Sequence, residues 1–111
     1  MALDHATVSL AAATVTKIYT VPKGATAAYV TIQNRDTLAS LAIGDSTLDG
    51  AGTTNGGIKI PATALSPTVY TDCPKIQFWA NGGDEIYGYA SVAMTNTCIV
   101  LTSYVQTGSA S

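Results

Sequence analysis

The chain has a single histidine, His5. A histidine acting as general base needs a nucleophile to deprotonate and an acid to orient its ring. No pattern of that kind surrounds His5. Asp84 and Glu85 are adjacent carboxylates, the residue type that cleaves glycosidic bonds. Neighbours in a strand point to opposite faces, so the pair cannot address one substrate and is read as solubilising a hairpin end. Asp45, Asp49, Asn55 and Asp72 supply the oxygen donors that calcium prefers. The stretch Asp45-Ser46-Thr47-Leu48-Asp49-Gly50 lacks alternating acids and a closing glutamate, so these are read as ordinary turn residues. Gly56-Gly57 has neither the strand–loop–helix setting nor the Gly-Lys-Ser/Thr of a phosphate loop. No enzyme activity, no cofactor and no metal site is expected.

The two cysteines, Cys73 and Cys98, form no Cys-x-x-Cys spacing, which argues against thioredoxin chemistry and a zinc knuckle. The opening residues, Met1 to Thr7, lack the charged and apolar regions of a signal peptide. Synthesis in a cytoplasm and two buried or half-buried thiols are therefore expected. The aromatics carry more. Along Ile86 to Val92, Ile86, Gly88, Ala90 and Val92 share one face, while Glu85, Tyr87, Tyr89 and Ser91 share the other. Trp79 likewise stands opposite Ile76 and Phe78. If the aliphatic faces form the core, Trp79, Tyr87 and Tyr89 remain outside as an aromatic patch. Such a patch suits a subunit contact or a sugar platform.

These side chains must be held by strands. Thr14 to Val21 is rich in β-branched and aromatic residues, and Pro22-Lys23-Gly24-Ala25 is a turn. Thr26 to Gln33 alternates, so the two runs read as an antiparallel hairpin. Asn34-Arg35-Asp36 closes the second strand. Short strands follow at Leu41 to Ile43, Ile58 to Ile60 and around Thr68 to Tyr70, separated by the long loop Asp45 to Gly57. Lys75 to Ala80 alternates, and Asn81-Gly82-Gly83-Asp84 reads as a hairpin turn into Ile86 to Ala93. Met94-Thr95-Asn96 turns into the last strand, Thr97 to Val105. There Ile99 and Leu101 face one way and Val100 the other, so both faces are expected to be buried. Ala11-Ala12-Ala13 is too short to nucleate a helix. The pattern predicts one all-β domain over 1–111, an antiparallel β-sandwich or jelly roll of about 7–9 short strands. Residues 1–13 read as an N-terminal arm or edge strand, and 106–111 as a frayed tail.

With 111 residues, the chain is sized for one core. Hydrophobic residues make up 47% and charged residues 11%, the reverse of a disordered chain. Five Lys and Arg scattered among seven acids build no basic face for nucleic acid. No apolar run approaches the ~18 residues of a membrane span. Thr, Ser, Asn and Gly stand where a monomer's surface usually carries ions, and neutral groups are easier to desolvate. Two readings stay open: a Thr-rich β protein that is soluble anyway, and a protein that spends its life packed against copies of itself or a larger partner.

The run Lys17-Ile18-Tyr19-Thr20-Val21-Pro22-Lys23-Gly24-Ala25, followed by Tyr29-Val30-Thr31-Ile32-Gln33-Asn34, resembles the opening of small virion proteins of tailed bacteriophages. Ile43-Gly44-Asp45-Ser46-Thr47, with Asn55-Gly56-Gly57-Ile58-Lys59-Ile60-Pro61, is similar to the same proteins. The resemblance covers roughly the first 60 residues and departs at Leu48 to Thr53 and in the Ala-rich start. It is strongest to capsid decoration, or cement, proteins. It implies a non-enzymatic protein on the capsid exterior, made in the host bacterial cytoplasm, whose partners are the major capsid protein and itself as a homodimer or homotrimer. Nucleic acid and membrane are not expected partners. Met1 to Thr14 would extend as a strand onto a neighbour's edge. Leu3 and His5 therefore join Trp79, Tyr87 and Tyr89 as candidate interface residues. A tail or fibre module that stacks carbohydrate on the same aromatics, helped by Asp45, Asp49 and Asn55, is the competing expectation.

Overall fold

The computed structural model describes residues 2–48, 58–63 and 73–106. Eight strands follow in order: β1 (Ala2–Val8), β2 (Thr16–Thr20), β3 (Ala25–Asn34), β4 (Leu41–Gly44), β5 (Ile58–Ile60), β6 (Lys75–Ala80), β7 (Glu85–Ala90) and β8 (Cys98–Gln106). They form two four-stranded antiparallel sheets, sheet A in the order β1-β8-β3-β6 and sheet B in the order β2-β7-β4-β5. The pairings nest: β1 with β8, β2 with β7, β3 with β6, β4 with β5. A long antiparallel ribbon rolled on itself gives this nesting, which is the jelly-roll form of the sandwich. The described residues contain no helix.

Period-two alternation places the core. From sheet A, Val30, Ile32, Cys98 and Val100 point inward, and from sheet B Ile18, Leu41, Ile43, Ile60, Ile86 and Ala90 meet them. Ile32, Leu41, Ile60, Val30 and Val100 are fully buried. The other face of β8 differs from expectation. Leu101 is 49% exposed, so only the Cys98–Val100–Thr102–Tyr104 face of that strand is buried. Sheet A has one wet side, as an antiparallel sheet permits.

Two expected hairpins are corrected. β2 and β3 do not pair, nor do β6 and β7, because each turn carries the chain from one sheet to the other. The turn chemistry itself is as read. Ala25 N–H donates to the Pro22 carbonyl at 3.2 Å with Gly24 at φ 83°. Asp84 N–H donates to the Asn81 carbonyl at 3.1 Å with Gly83 at φ 88°. A tight turn reverses the chain without specifying which sheet receives it. Here the inward faces of consecutive strands look at each other across the core, which makes each turn a corner. The two corners are laced together: Val21 N–H donates to the Asp84 carbonyl and Gly83 N–H to the Val21 carbonyl, both at 2.9 Å.

The opposite end is held by a buried polar hub. Asn34 and Asp36 are fully buried. The Asn34 side-chain amide donates to the carbonyls of Ala39 at 2.9 Å, Ile60 at 3.3 Å and Pro61 at 3.3 Å, while its Oδ1 accepts Asp36 N–H at 2.9 Å. The Asp36 carboxylate accepts the Thr95 hydroxyl at 2.9 Å and the amides of Thr95 and Ala39 at 3.3 Å. What reads as a simple strand closure therefore ties the β3–β4, β5 and β7–β8 connections together. Residues 1–13, read as arm or edge strand, contain β1, an edge strand of sheet A. Gln106, read as the start of the tail, belongs to β8 opposite Ala25. The expected strand at Thr68 to Tyr70 lies outside the described residues.

Candidate interaction surface

The outer face of sheet A is a regular grid, because its strand registers align the outward residues into rows. One row runs Leu3, Ser103, Tyr29, Trp79 from β1 to β6. The next runs His5, Leu101, Thr31, Gln77, and the third Thr7, Ile99, Gln33, Lys75. No carboxylate stands in these rows; Lys75 is their one lysine, and His5 their one histidine. Leu3 is 72% exposed and Trp79 69%. The Trp79 ring leans on Tyr29 with centroids 4.8 Å apart and planes tilted by 52°, a contact distance at which aromatic pairs attract. The Gln77 amide approaches the Thr31 hydroxyl at 3.4 Å. The face presents apolar groups among neutral ones, with little ionic hydration to strip.

Of the expected interface residues, Leu3, His5 and Trp79 share this face. Tyr87 and Tyr89 do not, because β7 belongs to sheet B, and the single aromatic patch is thereby corrected. Tyr89 points outward from sheet B as expected, yet it is only 9% exposed. It packs with Ala42 and Leu48 in a second small apolar cluster, with Val15 and half-buried Tyr87 against it. Asp45 positions that cover. Its carboxylate accepts the Thr47 amide at 2.8 Å and the Thr47 hydroxyl, and its carbonyl accepts Leu48 N–H at 3.0 Å. The Thr47 bonds hold the Asp45 carboxyl below its ordinary range. Asp49, Asn55 and Asp72, grouped with Asp45 as possible ligands, lie outside the described residues.

A cleft of about 590 Å³ opens between β6 and the β4, β5 and β7 strands of sheet B, with Trp79 and Phe78 on one side and Ile43 and Ile58 on the other. Asp45, Asp84 and Glu85 also line it. Each carboxylate already has a partner: Asp84 accepts Asn81 N–H at 2.9 Å, and Glu85 pairs with Lys17 at 3.1 Å and accepts the Tyr87 hydroxyl at 3.4 Å. Neither histidine nor cysteine lines the cleft. Among the described residues, no three His, Cys, Asp or Glu side chains gather as a metal-binding group.

Inside the sandwich, the Tyr19 hydroxyl of β2 donates to Asp4 of β1 at 2.7 Å, bridging the two sheets at their shared side. Burial is the main reason the Tyr19 phenol is pushed up to about 12; the Thr102 hydroxyl opposes the shift and the Asp4 carboxylate adds to it. Burial likewise pushes the Cys98 thiol up to about 11. Cys73 is buried as well. Sequence reasoning missed Leu101 and Tyr29 as members of the exposed face. The signal lay in β8, where Cys98, Val100, Thr102 and Tyr104 share a parity and so send Leu101 outward.

Set against family models, the chain matches none, and no curated protein matches it.

Proposed function

We propose that this chain is a structural virion protein that docks on the outer capsid surface and cements neighbouring capsomers, using the outer face of sheet A. The observation that carries the reading is the carboxylate-free grid with Leu3, Leu101 and Trp79 standing out of it. Removing one such side chain from water contributes about 1.5–3 kcal/mol, so three of them on each subunit form a contact of moderate strength. A homo-oligomer that presents several copies across a seam turns moderate contacts into a tight one. The resemblance of the first 60 residues to phage cement proteins points the same way, as does the low overall charge.

The test is co-sedimentation with empty capsids of the phage that encodes the chain. The wild type pellets with capsids, and Trp79→Ala lowers the bound fraction at equal concentration by roughly tenfold. Its melting temperature stays close to the wild type's, because the ring is largely in solvent. Absence of co-sedimentation by the wild type would sink the reading.

The cleft beside Trp79 favours one second reading, a carbohydrate-binding module. An exposed indole flanked by carboxylates is a platform on which a sugar ring stacks. Trp79 is the only tryptophan, so its fluorescence reports the site directly. Saturable quenching by neutral oligosaccharides, abolished in Asp84→Ala, would move the assignment there.

A further inference from the structure

A sandwich has free strand edges, and folded proteins guard such edges with lysine, proline, bulges or short length. Among the described residues, three of the four edges carry those guards. β2 has Lys17 and a register break between Lys17 and Tyr19. β5 is three residues long, contains Lys59 and runs straight into Pro61. β6 starts with Lys75 directly after Pro74. The fourth edge, β1, is seven residues long, keeps an unbroken register on β8 and contains no lysine, arginine or proline. We propose that the β1 edge is a pairing site for β1 of a second copy of this chain, joining two A sheets into one continuous eight-stranded sheet.

The strand is suited to itself. A two-fold axis normal to the sheet keeps outer face with outer face only where residues of like parity meet. Centring the axis on Asp4 sets two carboxylates directly opposite, which is unfavourable. Centring it on Leu3 or Ala6 leaves part of the strand without a partner. Centring it on His5, the middle residue, pairs all seven positions and sets the two His5 rings, rather than two carboxylates, opposite each other. Leu3 then faces the partner's Thr7, and Asp4 faces the partner's Ala6. No carboxylate opposes another. Asp4 points to the inner side, but the Tyr19 hydroxyl at 2.7 Å ties its carboxylate back into its own sandwich. The pairing also doubles the carboxylate-free outer grid without interruption. The inference deepens the assembly reading by naming partner and mode, yet its test uses the isolated chain. Failure of capsid docking and failure of β1 pairing are thus read separately.

The experiment is light scattering and sedimentation across a dilution series, with circular dichroism on every variant. The wild type has a mass of twice 11.3 kDa at high concentration. Leu3→Lys and His5→Lys each weaken the dimer by roughly tenfold or more; both side chains are exposed, so the folded spectrum is kept. The double variant Leu3→Lys/Thr7→Glu sets opposite charges across the seam twice and restores the dimer, which Leu3→Lys alone does not. Amide exchange in β1 slows as concentration rises. A wild type that stays monomeric or forms trimers overturns the proposal. So does a dimer that none of these substitutions changes.

Discussion

Gly82 shows how much one residue's missing side chain can settle. A Cβ there would sit 2.9 Å from the Pro22 carbonyl oxygen and 3.0 Å from that of Ala25, both fixed backbone atoms. Gly82→Ala must therefore push the two laced corners apart, and urea unfolding should show a loss of about 1–3 kcal/mol, the usual penalty for overpacking. Tyr19 governs a different variable. Its phenol titrates near 10.0 in an unfolded chain and at about 12 in the fold. The fold disfavours the ionised ring, so this stabilisation is whole below pH 10 and disappears as pH rises through about 12. Cys98, raised from 9.0 to about 11, adds to the same alkaline loss. In Tyr19→Phe, denaturation midpoints measured from pH 9 to pH 12 should fall less steeply than in the wild type. An equal slope in both would remove Tyr19 from the account.

At the scale of elements, the strands were legible and their partners were not. Alternation in Thr26 to Gln33 and Lys75 to Ala80 located β3 and β6 and told inside from outside correctly. Pro22-Lys23-Gly24 and Asn81 to Asp84 were legible as turns. A turn's residues encode only local dihedral angles, however, so the jump from one sheet to the other was invisible in them. The polar hub was hidden for a related reason: Asn34 and Asp36 look like common turn residues until the distant carbonyls of Ile60 and Pro61 and the Thr95 amide converge on them. Once buried, they are demanding. Asp36→Ala strips the acceptor from the Thr95 hydroxyl and from several amides. A stability loss on the order of 3 kcal/mol is expected from the unsatisfied donors, against a near-silent Asp84→Ala at the exposed corner. Comparable losses for the two variants in thermal denaturation would show that the hub does not anchor that end. The candidate surface was half legible. Leu3, His5 and Trp79 are legible as interface residues, but placing them on one face requires the β1–β8–β3–β6 order, which depends on pairings between residues some forty to a hundred positions apart.

For the whole molecule, the two sheets divide the labour. Sheet B wears a cover, since Leu48 and Val15 lie over Tyr89 on its outer side. Sheet A shows no such cover among the described residues, and the three aligned rows of its outer face hold no carboxylate. The asymmetry follows from chain connectivity: the segment after β4 turns at Asp45 back over its own sheet. The same connectivity has a bearing on biogenesis. β1 is made well before β8, the strand it pairs with among the described residues, since Ala2 pairs with Tyr104 and Val8 with Cys98. At about 5–20 residues per second on the ribosome, β1 waits several seconds with both margins open before β8 emerges to take one of them. Sheet A is thus sealed after translation of this domain is nearly over, and the margin that remains open at the end is the one that was open from the beginning.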